Sequence, residues 1–230
     1  MTTPNPEAAL NDALTTLRRE RVGKVAETFW ISGLGLCPRK VFADRLGLPL
    51  TNPPDKRAEF KMWTGMHLGG GLQKLLEAQG YLDPAWTEKR VTHLDYSGKV
   101  DGVTHTVEGD AVVEIKTCDD NAITRHGDFP QHYLWQGLAY CLATKIPHLI
   151  VFMLGKNQGL SKHQVFTLNE EWTAKIEKEM RRMMSLWRLY QLHHILPTHE
   201  HRFSWEDRWC AMLDTEQSLV SEELKEVADV

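Results

Sequence analysis

The chain of 230 residues is long enough for one domain with a sizeable core, and its 42% hydrophobic and 25% charged residues are typical of a globular protein. No run approaches the ~20 apolar residues that cross a bilayer, and the first residues lack the parts of a secretory signal, so we expect a cytoplasmic protein without a membrane partner. A net charge of −4 argues against binding nucleic acid by bulk electrostatics, although an acidic site can recruit cations that meet phosphates.

Helices and strands are predicted from the spacing of apolar residues, which recurs every three to four positions in the helices and alternates or runs continuously in the strands. The predicted helices cover 13–30, a short segment after Pro38, 58–79, 130–145 and 169–195, and the predicted strands cover 87–96, 99–107, 111–117, 148–154 and 163–168. Ser97-Gly98 and Glu108-Gly109-Asp110 are predicted hairpin turns between the first three strands.

This order of helix, three-strand meander, helix and strand predicts an α/β fold with a mixed central sheet flanked by helices. We expect a single domain over residues 13–214. A flexible N-terminus at 1–12 precedes it, and an acidic tail at 215–230 follows it.

Two charged side chains interrupt the apolar strand at 111–117. Alternate side chains share one face of a strand, so Glu114 and Lys116 are predicted to lie together. Asp101 lies on the preceding strand, and the short hairpin predicts that it sits beside Glu114. Charges inside an apolar strand are costly unless they are paired or bound to a metal. The alternative, a surface ion pair on an edge strand, fits the apolar flanks and the hairpin spacing less well.

Adjacent carboxylates favour a cation, because they repel each other when both are ionised. Carboxylate oxygens are suitable ligands for Mg²⁺ or Mn²⁺. Lys116 beside them is suited to orient or deprotonate a metal-bound water, or to stabilise charge on a phosphate. These residues therefore predict a metal-dependent site that acts on a phosphate group.

The pattern of an Asp, a hairpin and then Glu-x-Lys resembles the PD-(D/E)xK nuclease superfamily. His67 in GMHLGGGLQKLL and the pair Gln136 and Tyr140 in YLWQGLAY resemble elements of its RecB-type exonuclease branch. The segment CPRKVFADRLGL is similar to the opening of CRISPR-associated adaptation nucleases and their viral relatives. The resemblance runs from about Cys37 to Leu154 and implies a restriction-endonuclease-like αβββαβ core.

The resemblance also implies roles for individual residues. Its implied metal ligands are His67, Asp101, Glu114 and the carbonyl group of Ile115. It implies that Gln136 and Tyr140, which share one helical face, contact the substrate strand or the lysine. The structural alternatives are an ordinary surface or core histidine at His67 and a solvated stripe at the other two positions. Glu88 is either a supporting carboxylate or a solvated side chain. The glycine run Gly69–Gly71 is expected to let another element approach its helix closely.

The cysteines depart from the iron–sulfur members of this family, which have one cysteine near the N-terminus and three near the C-terminus. Here only Cys37 and Cys210 occupy such positions, and Cys118 and Cys141 fall within the predicted core. We therefore expect no iron–sulfur cluster, and we expect the catalytic ion to be the only metal.

The predicted function is a Mg²⁺- or Mn²⁺-dependent DNA exonuclease in recombination, repair or phage DNA metabolism, with a recombination or replication protein as its potential partner. The first alternative is a restriction-type endonuclease with the same core. The second is a catalytically silent domain that binds nucleic acid or a protein, and the charges retained in the sheet argue against it.

Overall fold

Helices and strands follow one another through the part of the chain that the computed structural model describes, residues 25–48, 54–125, 129–203 and 205–210. In chain order they are β1 (Phe29–Trp30), α1 (Pro38–Leu46), α2 (Lys56–Ala78), β2 (Arg90–His93), β3 (Tyr96–Lys99), β4 (Gly102–Thr106), β5 (Gly109–Cys118), α3 (Asp120–Arg125), α4 (Gln131–Thr144), β6 (His148–Gly155), β7 (Ser161–Thr167), α5 (Glu170–His193) and α6 (Glu206–Cys210). The predicted flexible residues 1–12, most of the predicted helix at 13–30 and the acidic tail at 215–230 lie outside the described residues.

The described residues divide into two compact units. The sheet unit comprises Thr28–Gly35 and Gly65–Leu186. The terminal unit comprises the described residues of Met1–Glu27, Leu36–Thr64 and Trp187–Val230. No helix in the described part of the chain is long and apolar enough to span a membrane.

The sheet unit contains a four-stranded sheet in the order β4-β5-β6-β7. β5 and β6 are parallel, whereas the other two pairs are antiparallel. Two parallel neighbours need a crossover connection, and α4 supplies it while packing against β5 and β6. The predicted α/β fold with a mixed sheet flanked by helices is confirmed. A smaller sheet in the order β1-β3-β2 belongs to the same unit.

Helix boundaries follow the local sequence. Pro38 opens α1, and Gly47 ends it in the left-handed conformation with φ of 63°. Asn169 caps α5, because its Oδ1 accepts the backbone N–H of Trp172 at 2.8 Å.

The strand predicted at 87–96 is wrong in extent. The structure has two shorter strands here, β2 from Arg90 to His93 and β3 from Tyr96 to Lys99. The turn between them lies at Leu94, whose φ of 53° is left-handed. Ser97 and Gly98, predicted as a turn, are inside β3. A Cβ at Gly98 would lie 2.7 Å from the hydroxyl oxygen of Tyr140, so this glycine makes room for a tyrosine ring rather than for a turn.

The predicted helix at 13–30 is also wrong at its end. Phe29 and Trp30 form β1, which pairs in parallel with β3. Phe29 is fully buried, and its ring centroid lies 5.2 Å from that of Tyr96. This contact between distant residues overrides the local helical pattern.

We expect Gly137→Ala to lower the free energy of unfolding by about 1–3 kcal/mol, because overpacking strains a close-packed core. The new Cβ would lie 2.6 Å from both methyl carbons of the fully buried Leu149, where α4 packs on β6. Urea unfolding measures the effect. Gly71→Ala in α2 is the matched control, because open space surrounds Gly71 and alanine should stabilise that helix by up to ~1 kcal/mol. Equal effects of the two substitutions would contradict the packing of α4 on β6.

Candidate active site

The hairpin of β4 and β5 brings Asp101 and Glu114 together. Gly102 pairs with Val113, so Asp101, one residue earlier, comes level with Glu114. The backbone N–H of Ile115 donates to Asp101 Oδ2 at 2.7 Å and fixes the orientation of that carboxyl group. Glu114 is 1% exposed, and Asp101 is half-buried. Two acidic side chains are thus held side by side in the interior of the sheet unit.

Lys116 is positioned by three neighbours. Its Nζ lies 2.6 Å from Glu114 Oε1, as the alternation along β5 predicts. The same nitrogen donates to Gln136 Oε1 at 2.9 Å. It also lies 5.2 Å from the ring centroid of Tyr133, within reach of a cation–π interaction. The ammonium group is therefore held between the sheet and α4.

Gln136 and Tyr140 lie one helical turn apart on α4, on the face that meets this lysine. The phenol of Tyr140 interacts with the side chain of Gln136. Tyr140 is 3% exposed, and its ring packs against Gly98 of β3. Burial raises the pKa of Tyr140, so its phenol stays neutral. The structure thus links Tyr140 to Lys116 through Gln136.

The charges of the site are unequal, because two carboxyl groups face one ammonium group. Burial and then repulsion from Glu114 raise the pKa of Asp101 to about 8. Burial also raises the pKa of Glu114 against the opposing attraction of Lys116. Burial alone lowers the pKa of Lys116, but the attraction of Glu114 and Asp101 outweighs it and raises that pKa. At neutral pH Lys116 is charged, and Asp101 holds a proton unless a further cation is present.

The residues present fit a divalent cation. Glu114 Oε2 is buried and forms no hydrogen bond with any residue that the structure describes. A second positive charge would meet this oxygen and would favour the ionised form of Asp101. Both donors are hard oxygens, which suit Mg²⁺ or Mn²⁺.

His67 is exposed on α2. Among the described residues, one group of His, Cys, Asp or Glu side chains is close enough to share a metal ion, with all its ligand atoms within 4.8 Å of one another. That group contains neither His67 nor Asp101 nor Glu114. The participation of His67 and of the Ile115 carbonyl group in metal binding stays a prediction.

Gln73 also contacts the site, and no role was predicted for it from the sequence. Its Nε2 donates to the backbone oxygen of Asp101 at 2.5 Å and lies 3.4 Å from Glu88 Oε1. Glu88 also accepts from Lys99 at 3.2 Å, so it is a neighbour of the site rather than only a solvated side chain. Gln73 occurs four residues after Gly69 and eight after Gly65, on one face of α2. A polar residue on the same helical face as two glycines could have indicated from the sequence that this face packs against the site.

The close approach to α2 occurs at Gly65 rather than along the glycine run. A Cβ at Gly65 would lie 2.9 Å from Thr117 Oγ1, and this hydroxyl donates to the Gly65 backbone oxygen at 3.2 Å. A Cβ at Gly69 would lie 3.8 Å from the Thr117 methyl group, which is an ordinary contact distance. The expectation was wrong for Gly70 and Gly71, which face open space.

Comparison with known proteins gives a fold but no family. No protein-family model and no curated protein matches the chain. The crystal structure of SSO0001 matches with a TM-score of 0.56 and 18% identity, covering 92% of this chain and 95% of that one. The alkaline exonuclease LHK-Exo from Laribacter hongkongensis matches with a TM-score of 0.48 and 14% identity over 73% of this chain and 89% of that one. The structure of LHK-Exo in complex with dAMP matches with a TM-score of 0.47 and 16% identity, covering 72% of this chain and 88% of that one. The likeness to SSO0001 shows a shared fold.

We expect the stability of the protein, without added divalent cations, to fall as the pH rises from about 4 to 8. The pKa of Asp101 is about 8 in the folded state, above the ~3.9 of an unfolded Asp, so the folded state binds the proton more tightly. Asp101→Asn should remove part of this loss, on the order of a few kcal/mol. Urea unfolding at pH 5 and pH 8 measures it. Glu108→Gln, at an exposed residue of the turn between β4 and β5, is the control. An undiminished pH dependence in Asp101→Asn would show that this carboxyl group is not the one that titrates.

Proposed function

We propose that the chain is a metal-dependent deoxyribonuclease with a PD-(D/E)xK site of the RecB type. The observation that carries the proposal is the contact of Lys116 with Glu114 beside Asp101, on a hairpin of a mixed sheet. The same three residue types in this order form the motif that the sequence resembles. The contact between Lys116 and Gln136 supports it, because it joins the motif to the second element of the resemblance.

Asp101, Glu114 and the carbonyl group of Ile115 are the residues that would hold Mg²⁺ or Mn²⁺, with His67 as a further proposed ligand. When bound, such an ion polarises a phosphoryl oxygen and makes a bound water more acidic. Asp101 is held at two points. Gln73 on α2 donates to its backbone oxygen, and the backbone N–H of Ile115 donates to its carboxyl group.

Lys116 acts as a positive charge and a hydrogen-bond donor rather than as a base. Its pKa is raised, since attraction by the two carboxylates outweighs burial, so it carries its proton at neutral pH. The ammonium group is suited to stabilise charge that develops on the scissile phosphate and to orient the attacking water. Gln136 positions this group, and Tyr140 positions Gln136.

DNA is the proposed substrate, and we favour digestion from an end because of the resemblance to the RecB-type branch. We propose that residues 13–214 form the nuclease domain, in a cytoplasmic setting of recombination, repair or phage DNA replication. We also propose that the chain acts with a partner protein from recombination or replication. The second candidate is a restriction-type endonuclease, which the same carboxylates and lysine would equally serve.

Wild-type protein should digest linear DNA in Mg²⁺ or Mn²⁺ and should lose this activity in EDTA. Asp101→Asn and Lys116→Met should each lower kcat/KM by at least ~100-fold, because the first removes a proposed metal ligand and the second removes the positive charge proposed to stabilise the developing phosphate charge. Release of acid-soluble nucleotides measures the rate. Asp110→Asn and Lys74→Met, both at exposed positions of the sheet unit, are matched controls and should retain activity. Full activity in Asp101→Asn and Lys116→Met would rule out the proposed site. Digestion of closed circular DNA would favour the endonuclease.

Gln136→Leu should lower kcat by about 10- to 100-fold with little change in KM, because a misplaced reacting group slows the chemistry more than binding. The substitution keeps the size of the side chain but removes the oxygen that Lys116 binds. Steady-state kinetics on a labelled linear duplex measures both constants. Gln164→Leu, on exposed β7, is the control. An unchanged kcat in Gln136→Leu would show that this glutamine does not position Lys116.

A further inference from the structure

The terminal unit contains four side chains that the proposed nuclease chemistry does not use. They are two cysteines and two histidines, Cys37, His199, His201 and Cys210, and their ligand atoms all lie within 4.8 Å of one another. We propose that these four side chains form a structural Zn²⁺ site. The site goes beyond the proposed function, because it involves none of the residues of the carboxylate site.

The geometry suits one metal ion. In a tetrahedral zinc site, ligand atoms about 2.0–2.3 Å from the metal lie about 3.3–3.8 Å from one another. Cys37 Sγ lies 3.9 Å from His199 Nδ1, so this pair is already near that separation. The imidazole centroids of His199 and His201 are 5.3 Å apart. A two-iron cluster holds its cysteine pair and its histidine pair on different irons. The mutual closeness of all four ligand atoms fits a single ion better.

A carboxylate orients one of the proposed ligands. Asp207 Oδ1 contacts His201 Nδ1. This contact leaves Nε2 of His201 for the metal. Zinc-binding histidines usually give their other ring nitrogen to such a carboxylate, which fixes the tautomer and strengthens binding. The neighbouring side chain therefore supports the assignment independently of the four ligands.

A buried carboxylate holds the two chain segments of the site together. Glu206 is fully buried, and its Oε1 accepts the backbone N–H of Cys37 at 2.6 Å. Its Oε2 accepts the backbone N–H groups of Arg202 and Phe203 at 2.6 and 2.9 Å. Cys37 is thereby fixed to the turn that follows His201. The site does not depend on the metal alone to bring residues so distant in sequence together.

Charge also favours zinc. Both cysteines are buried, and bare thiolates are costly to bury. Zn²⁺ with two thiolates and two neutral imidazoles has no net charge, so this ligand set is compatible with a buried position. The proposal departs from the expectation that the catalytic ion is the only metal. A four-thiolate cluster is a different site, since two of the four ligands here are imidazoles.

The first test is the metal content of the protein produced in medium that contains both iron and zinc. We expect about one Zn²⁺ per chain by mass spectrometry of the metals, without iron or acid-labile sulfide. Cys210→Ser and His201→Ala should lose the zinc. The matched controls, Cys118→Ser and His163→Ala, lie in the sheet unit and should keep it. Iron with sulfide, or zinc-free wild type with a Cys37–Cys210 disulfide, would overturn the proposal, and so would full zinc content in Cys210→Ser.

A second measurement does not depend on whether ligand variants fold. Wild-type protein refilled with Co²⁺ should show the intense visible bands of tetrahedral cobalt and a thiolate-to-cobalt charge-transfer band. A weak octahedral spectrum without the thiolate band would contradict the site. Asp207→Asn should weaken zinc affinity by about 10- to 100-fold in a chelator competition. Asp110→Asn removes a similar carboxylate from His105, which it binds at 2.7 Å, and should leave zinc affinity unchanged.

Discussion

The withdrawal of Asp101 and Glu114 from water beside a single ammonium group is the constraint on which the candidate active site depends. One of the two negative charges lacks a partner, and burial makes that imbalance expensive. The site resolves it by keeping a proton on Asp101, whose pKa is about 8, or by binding a cation. Val113 and Ile115, which flank Glu114 in β5, form a buried apolar cluster with Leu82, and burial of such side chains offsets part of this cost. A fold selected only for stability has no reason to retain such a pair.

The sheet fixes the positions of these charges before any ligand arrives. The register of β4 against β5 sets Asp101 level with Glu114, and the alternation of β5 places Lys116 on the same face. The parallel pairing of β5 with β6 requires a crossover, and the crossover helix carries Gln136 to Lys116. Groups held on rigid elements in this way need little rearrangement during a reaction, which is what stabilisation of a charged transition state demands.

Much of this arrangement could be predicted from the sequence, because it follows from local periodicity. The shared face of Glu114 and Lys116 and that of Gln136 and Tyr140 are examples. What depends on tertiary contact could not be predicted. Gly98 resembles a turn residue until the Tyr140 ring is seen beside it. The proposed zinc site joins Cys37 to His199, His201 and Cys210 of a distant segment, and no local spacing connects residues that are 162 positions apart.

Proton release on metal binding tests the central claim most directly. Calorimetric titration of zinc-loaded protein with Mn²⁺ at pH 7, in two buffers of different ionisation enthalpy, counts the protons released. Because the pKa of Asp101 is about 8, nearly one proton per bound Mn²⁺ should leave the wild type, and Asp101→Asn should release almost none. Binding without proton release in the wild type, or the same release in Asp101→Asn, would contradict a cation site at this carboxylate pair.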